Sequence, residues 1–264
     1  MLKEYMLSLN YTDNDINKII NTYPLCNMKE STLLNKIKEN YSFLKDFGHS
    51  DKDIIKMTKR TPGIYKFNKS NLEQKLDNLL NLGYSKKDII RITKNYSPIL
   101  ELSIDTVKNK ITTLISLGYT KEEVINITKE LPSIFNMTID TINNKIEYLM
   151  SLGYTKEEVF TITKNLPTIY SYSKENIKDK KNFYDEIGIS DFILSKTKNF
   201  MQSVELSYAR YMFYKSIGID INIDNYKLLF VEDKIFIRNY GLTKNDILKK
   251  YNYHNRGTKH VRTL

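Results

Sequence analysis

Apolar residues recur every three to four positions along most of the chain, which is the period of a helix that buries one face. The pattern also repeats on a longer scale, because residues 116–135 and 151–170 are identical at 15 of 20 positions. Glycines mark this repeat at intervals of 35 residues: Gly48, Gly83, Gly118, Gly153 and Gly188. Asn10 holds the equivalent place one unit earlier, and Gly218 one degenerate unit later. The sequence therefore predicts a helical-repeat array.

Each unit contains the signals of two helices. The first begins at a Ser or Thr with an acidic residue three positions on, which is the spacing of an N-terminal capping box. The pairs are Thr12/Asp15, Ser50/Asp53, Ser85/Asp88, Thr120/Glu123 and Thr155/Glu158. A proline lies 14 or 15 residues after the marker and disfavours helix at the residue before it, so it ends this helix. These prolines are Pro24, Pro62, Pro98, Pro132 and Pro167.

The second helix of each unit begins near Ser70, Asp105, Asp140 or Lys174 and ends at the next marker glycine, which favours the left-handed helix cap. Two helices of this length cannot bury their apolar faces alone, so neighbouring units must stack. We expect an all-α fold, an α-solenoid or superhelix of about six to seven 35-residue units, each of two helices.

The last units are less regular than the others. Gln202 stands where proline is expected, and residues 220–230 form a weak helix pattern whose start alternates like a strand; we predict a helix there. Residues 231–250 predict two helices separated at Gly241. We place the repeat domain at 1–248 and a basic C-terminal tail at 249–264.

Composition excludes several classes of protein. The chain has 264 residues and 41% hydrophobic residues, which is enough for a sizeable core. It lacks an apolar run long enough to span a membrane, so we expect no membrane partner. The single cysteine, Cys26, excludes an internal disulfide framework. The N-terminal sequence MLKEYMLSLN has neither a secretory apolar segment nor the look of a transit peptide.

Positive charge is in excess and unevenly placed. The formal net charge is +10, which makes a polyanion the first partner to consider. Eight Lys and Arg residues lie between Lys234 and Leu264 against Asp246 alone, so most of the excess lies in the last part of the chain. Such a segment is either an arm that binds nucleic acid or a solvated end. Its candidate contacts are Lys249, Lys250, Arg256, Lys259 and Arg262.

Two further sets of cations recur at fixed repeat positions. The first set stands eight residues before each marker glycine and comprises Lys75, Lys110, Lys145, Lys180 and Arg210. Stacked units would align these charges into a row that contacts phosphate, although a lysine beside an apolar stripe also lies over that stripe without any ligand. The second set precedes the prolines and comprises Lys59, Lys94, Lys129 and Lys164. Helix capping is the favoured reading for this second set, with phosphate contact as the alternative.

Signals of an enzyme or a metal site are absent. Neither a Gly-x-x-x-x-Gly-Lys nor a Gly-x-Gly-x-x-Gly motif occurs. The adjacent carboxylates Glu122/Glu123 and Glu157/Glu158 fall in the first turns of helices, where capping explains them. His254 and His260 have no third ligand nearby in the sequence. We therefore expect no catalysis, no cofactor and no metal.

The repeat resembles that of the mitochondrial transcription termination factor (mTERF) family. The resemblance lies in the pattern L-G-Y-[ST]-x-x-[DE]-[IV]-x-x-[IM]-T-K-x-x-P-x-[IL] and covers roughly residues 5–245. It implies an all-α superhelix with two helices and a short 3-10 turn per unit. It also implies binding of double-stranded DNA or structured RNA, without catalysis, in organellar transcription termination, RNA processing or ribosome assembly.

Two alternatives remain open beside this reading. A ribosome- or RNP-associated factor would thread its tail into RNA while the array contacts protein, and an interaction scaffold would bind no nucleic acid at all. The resemblance implies a mitochondrial or other organellar location; without it we expect an intracellular, cytoplasmic protein. We expect a monomer.

Overall fold

The computed structural model describes residues 1–190 and 199–255, in which all regular secondary structure is helical and no strand occurs. They form two compact units, Met1–Ile139 and Asp140–Leu264. The fold class is thus all-α, in the arrangement of an α-solenoid, as predicted. The helices in chain order are α1 Leu2–Ser8, α2 Asp13–Ile20, α3 Glu30–Asp46, α4 Asp51–Arg60, α5 Lys69–Asn81, α6 Lys86–Asn95, α7 Ile104–Ser116, α8 Lys121–Glu130, α9 Ile139–Ser151, α10 Lys156–Asn165, α11 Lys174–Glu186, α12 Val204–Ser216, α13 Asp233–Tyr240 and α14 Lys244–Lys250.

The first helix of each repeat begins at the predicted cap. Thr120 Oγ1 accepts from the backbone N–H of Glu123, whose carboxylate accepts from the backbone N–H of Thr120. Both halves of this box also occur at Thr12, Ser85, Thr155 and Thr243. These side chains satisfy amide groups that the first turn leaves without partners.

Proline starts a 3-10 turn in the middle of the regular repeats. The residue before it, such as Thr61 (φ −134°, ψ 73°) or Leu131 (φ −129°, ψ 72°), leaves the helical region, because the proline ring disfavours helix there. Such turns end with a residue in extended conformation, from which the second helix begins. The 3-10 turns are Leu25–Asn27, Pro62–Lys66, Ser97–Glu101, Pro132–Asn136, Pro167–Ser171, Asn199–Met201, Tyr226–Phe230 and Tyr253–Asn255.

Two of the marker glycines, Gly48 and Gly83, allow close packing between repeats. Gly48 has φ +112° and Gly83 has φ +105°, which L-residues with a side chain rarely adopt. A Cβ atom at Gly48 would lie 3.0 Å from Ile90 Cδ1, and one at Gly83 would lie 3.2 Å from Ile125 Cδ1. Glycine is therefore needed here both for the backbone turn and for the approach of the next repeat.

A buried hydrogen bond joins neighbouring repeats at the residue after the marker. Within the compact unit Met1–Ile139, Tyr11 Oη lies 2.7 Å from Thr58 Oγ1, and Tyr84 Oη lies 2.6 Å from Thr128 Oγ1. His49 takes the tyrosine position in the repeat between them, with Nε2 2.7 Å from Thr93 Oγ1. Tyr11 and Tyr84 thus belong to the buried core.

The C-terminal part departs from one prediction. Residues 220–230 are not a continuous α-helix; only Tyr226–Phe230 forms a 3-10 turn, since the Asp- and Asn-rich residues before it bond to their own backbone. The predicted break at Gly241 is confirmed, with φ +69°. Phe213 on α12 holds α13 in place, with Phe236 and Tyr240 rings at 5.2 Å and 5.0 Å.

Candidate nucleic-acid interface

The first predicted row of cations points at backbone carbonyls of its own chain. Lys75 Nζ donates to Leu102 O at 2.8 Å, and Lys180 Nζ donates to Phe200 O at 2.5 Å. Two further lysines of the row make the corresponding bonds, Lys110 to Met137 O and Lys145 to Tyr172 O. Each acceptor belongs to the segment that ends a 3-10 turn, so the ammonium group fixes the chain where the turn meets the following helix.

Arg210 makes the most extensive contact of the row. Its guanidinium donates to Leu229 O at 2.9 Å and to Val231 O at 2.7 Å, and it pairs with Asp233 Oδ1 at 2.7 Å. The fork geometry of arginine allows one side chain to satisfy several acceptors at once. Arg210 thereby ties α12 to the Tyr226–Phe230 turn and to the start of α13.

A neutral residue at the equivalent repeat position indicates what that position requires. Asn40 stands eight residues before Gly48, and its Nδ2 donates to Phe67 O at 2.9 Å. The acceptor lies 27 residues ahead, as it does for Lys75, Lys110 and Lys145. The repeat therefore needs a side-chain hydrogen-bond donor here, and a positive charge is not essential to that role.

Most members of this row are too buried to form a solvent-facing lining. The exposed fraction is 8% for Lys145, 2% for Lys180 and 1% for Arg210, while Lys75 and Lys110 are half-buried. Burial lowers the pKa of all four lysines, to about 8 for Lys180, because a charged group loses hydration in the interior. The three buried members therefore do not form the expected row of solvent-facing cations. Phosphate contact by Lys75 or Lys110 stays a prediction, and the geometry favours the ligand-free alternative.

The second predicted set forms ion pairs between repeats in the first unit of the fold. Lys59 Nζ lies 2.9 Å from Asp15 Oδ1, Lys94 Nζ 2.8 Å from Asp53 Oδ1, and Lys129 Nζ 3.5 Å from Asp88 Oδ1. Burial would raise the pKa of these carboxyl groups, but the bonds to lysine and to the capping hydroxyl lower it overall. Each acid thus caps its own helix and binds the lysine of the next repeat. Lys164 lies exposed in the last turn of α10.

Two arginines of the array have similar inter-repeat partners. Arg91 pairs with Glu130 at 2.7 Å, and Arg60 donates to Asn95 O. Sequence reasoning missed these partners, as it missed Asn40 and the second role of Asp15, Asp53 and Asp88. The neutral Asn40 in a position otherwise held by cations was the available signal.

The cations near the C-terminus have a different environment. Lys234 and Arg238 on α13, and Lys244, Lys249 and Lys250 on α14, are all exposed. None of these five forms an ion pair within 4 Å in residues 1–190 and 199–255. Asp246 is the single acidic residue between Lys234 and Lys250, and its pKa is lowered by bonds to Thr243, with Lys249 adding to the effect. The segment therefore presents an excess of hydrated positive charge.

Part of the predicted tail lies outside the described residues. Lys249 and Lys250 belong to the last turn of α14, whereas Arg256, Lys259 and Arg262 are not among the residues that the structure describes. His254 lies in the final 3-10 turn. In the described part of the chain, no cluster of His, Cys, Asp and Glu side chains has the arrangement of a metal site, and no helix there has the length and apolarity to cross a bilayer.

These features define an α-solenoid whose repeats carry a proline-started 3-10 turn between two helices. The sequence model of the mTERF family matches residues 2–116 and, in a second overlapping segment, residues 108–189. The matched residues make up well over half of the chain, so the protein belongs to the mTERF family. No curated protein matches the sequence.

Proposed function

We propose that this protein is a non-catalytic factor that binds double-stranded DNA or structured RNA, mainly by backbone contacts, in organellar transcription termination or another step of organellar gene expression. Membership of the mTERF family supports the class of function. The mitochondrion or another organelle is the proposed compartment, on the same ground.

One observation carries the proposal beyond the family, namely the exposed cations of α13 and α14. Lys234, Arg238, Lys244, Lys249 and Lys250 face solvent with a single carboxylate among them. Exposed side chains of this kind bind phosphate at little desolvation cost and release condensed counterions from the polynucleotide. Array cations such as Lys75 and Lys94, by contrast, would have to break existing contacts first. We therefore assign the phosphate contact to the segment 234–250, defined here as the C-terminal basic segment.

Salt dependence tests this assignment on the full-length protein. Five phosphate contacts would give a slope of log K against log salt of about −4.5 on duplex DNA, since each contact contributes about −0.9. Titrations with matched DNA duplex, RNA duplex and single strand would then identify the preferred form. A slope near zero on all three would overturn the proposal.

A matched pair of variants locates the contact. In Lys249→Gln/Lys250→Gln we expect the slope on duplex DNA to become shallower by about 1.8 if both side chains contact phosphate. The control is Lys52→Gln/Lys56→Gln, which removes the same charge from exposed lysines on α4 and should leave the slope unchanged. Equal losses from both variants would show a general charge effect and contradict the assignment.

A ribosome- or RNP-associated role is the second candidate, favoured by the same placement of free charge at one end of the chain. In that case structured RNA would be bound far more tightly than duplex DNA, and Lys110→Ala/Lys145→Ala would leave binding intact. Tighter binding to duplex DNA than to structured RNA would eliminate this candidate.

A further inference from the structure

A cleft of about 350 Å³ opens beside α5 in the first unit of the fold. Its lining combines two apolar side chains, three carboxamides and one ammonium group: Phe67, Ile104, Asn71, Gln74, Asn78 and Lys75. The volume lies in the range of small-ligand sites in proteins, and polar side chains outnumber apolar ones in the lining.

The three carboxamides share one face of α5, because Asn71, Gln74 and Asn78 are spaced at i, i+3 and i+7. Asn71 and Gln74 are exposed and Asn78 is half-buried. No side-chain hydrogen bond engages any of the three within residues 1–190 and 199–255. Each therefore offers a free N–H₂ donor and a free carbonyl acceptor to a ligand.

The same face of the next repeat is different. Its equivalent residues on α7 are Thr106, Asn109 and Thr113. Thr113 Oγ1 donates to Asn109 O at 2.8 Å, and Thr106 Oγ1 lies 2.8 Å from Ser103 Oγ. The hydroxyl groups there are already engaged within the helix, so the free carboxamide face is a property of α5 and not of the repeat in general.

Lys75 adds donors to the cleft. Its Nζ uses one hydrogen on Leu102 O at 2.8 Å and lies 4.9 Å from the centroid of the Phe67 ring. Lysine has three N–H donors and no acceptor, so two donors are left for a ligand. Lys66, whose charge also acts on Lys75, is paired with Glu101 at 3.1 Å. The cleft thus has a fixed pure donor beside three groups that both donate and accept.

We propose that this cleft binds one unpaired guanine base of the polynucleotide, an inference that rests on the proposed function and adds base recognition to it. Guanine presents two acceptors, O6 and N7, to a lysine donor, while its N1–H and N2–H₂ groups can donate to the carboxamide oxygens. The apolar walls Phe67 and Ile104 accommodate the flat base. Adenine shares N7 with guanine but has an amino group in place of O6, cytosine has an amino group at the corresponding edge, and uracil or thymine offers O4 without N7.

Free mononucleotides and the full-length protein separate this inference from phosphate binding. The Ile104 methyl group reports on the cleft, and Ile139, at the same repeat position 35 residues on, is the internal reference. Guanosine monophosphate should shift the Ile104 methyl resonance saturably and bind at least about fivefold more tightly than the other three monophosphates. Equal responses to all four nucleotides, or no shift at Ile104, would overturn the proposal.

Variants of Gln74 and Asn78, which lie outside the core, test the lining. Gln74→Ala and Asn78→Ala should each weaken guanosine monophosphate binding at least about fivefold. Asn109→Ala removes the equivalent exposed carboxamide from α7 and should have no effect; equal weakening by Asn109→Ala would contradict the inference. Polynucleotide binding with a steep salt slope but without a guanine response would remove this inference and leave the proposed function standing. A guanine response without salt-dependent polynucleotide binding would instead support the cleft as a guanine site and remove the proposed function.

Discussion

The cations of the regular repeats and those of the C-terminal basic segment have opposite surroundings. In the repeats, lysine and arginine at recurring positions bind carbonyl oxygens or carboxylates of the same chain, as Lys75 and Lys94 do. In the C-terminal basic segment, cations such as Lys244 and Lys250 are exposed and have no ion pair among the described residues. Charge in the two recurring cation sets is therefore part of how neighbouring repeats are held together. The phosphate contact that we propose belongs instead to the exposed cations of the C-terminal basic segment.

Replacing Arg210 tests the repeat side of this comparison with the largest expected effect. Arg210→Met removes the donors from Leu229 O and Val231 O and leaves Asp233 unpaired. Removing one member of a buried polar cluster leaves its partners uncompensated, so we expect a loss of about 3 kcal/mol in the free energy of unfolding. Denaturant titration with monitored helicity would measure it.

The matched control for Arg210→Met is Lys250→Met on the C-terminal basic segment. Lys250 is exposed, so its replacement should change the free energy of unfolding by no more than about 0.5 kcal/mol. If both variants are equally stable, Arg210 has no special structural role. The contrast between the repeat cations and the C-terminal basic segment would then fail at Arg210, the most buried of the repeat cations.

The sequence predicted the array well because each local signal has a local physical cause. Capping residues such as Thr120, prolines such as Pro132 and glycines such as Gly48 act on the backbone within a few residues, and the structure uses them as expected. The 35-residue period then leaves little freedom for how repeats stack. Residues 220–230 were harder, since local Asn and Asp bonding there competes with helix formation.

The role of the recurring cations was not predictable in the same way. Lys110 and Lys145 were recognised as a set, but their acceptors are backbone carbonyls 27 residues ahead. A carbonyl leaves no trace in the sequence, because every residue has one. Asn40 is the one residue of this position whose type indicated the role. A neutral donor at a position otherwise held by cations indicates a hydrogen bond and not a charge effect.

Replacing His49 tests whether equivalent repeat positions are interchangeable. His49→Tyr should exchange the imidazole bond to Thr93 for a hydroxyl bond like that between Tyr84 and Thr128, at the loss of the bond from the ring to Leu44 O. We therefore expect the free energy of unfolding at pH 7 to change by no more than about 1 kcal/mol. Thermal unfolding at fixed concentration would measure this change.

The same variant predicts a change in acid sensitivity. Burial lowers the pKa of His49 below its usual 6.5, while the bond to Leu44 O and the charge of Asp53 oppose this and Lys94 adds to it. Because the unfolded chain then takes up a proton more readily than the folded chain, stability falls as the pH drops below about 6.5. His49→Tyr should lose less stability between pH 7 and pH 5 than the unchanged protein. An identical loss in both would show that His49 does not contribute.

Replacing Lys94 has the smallest expected effect and separates the two regions most directly. The Lys94–Asp53 pair is partly exposed, with 45% and 14% of the two side chains accessible, so Lys94→Gln should lower the free energy of unfolding by about 0.5–1 kcal/mol. Its affinity for duplex DNA should stay unchanged, because the lysine serves a neighbouring repeat and not a phosphate. The control is Lys52→Gln, an exposed lysine on α4, which should change neither quantity. If Lys94→Gln lost as much affinity for duplex DNA as Lys249→Gln/Lys250→Gln, a paired lysine and an unpaired lysine would contribute equally to binding. The second cation set would then have to be included in the nucleic-acid interface.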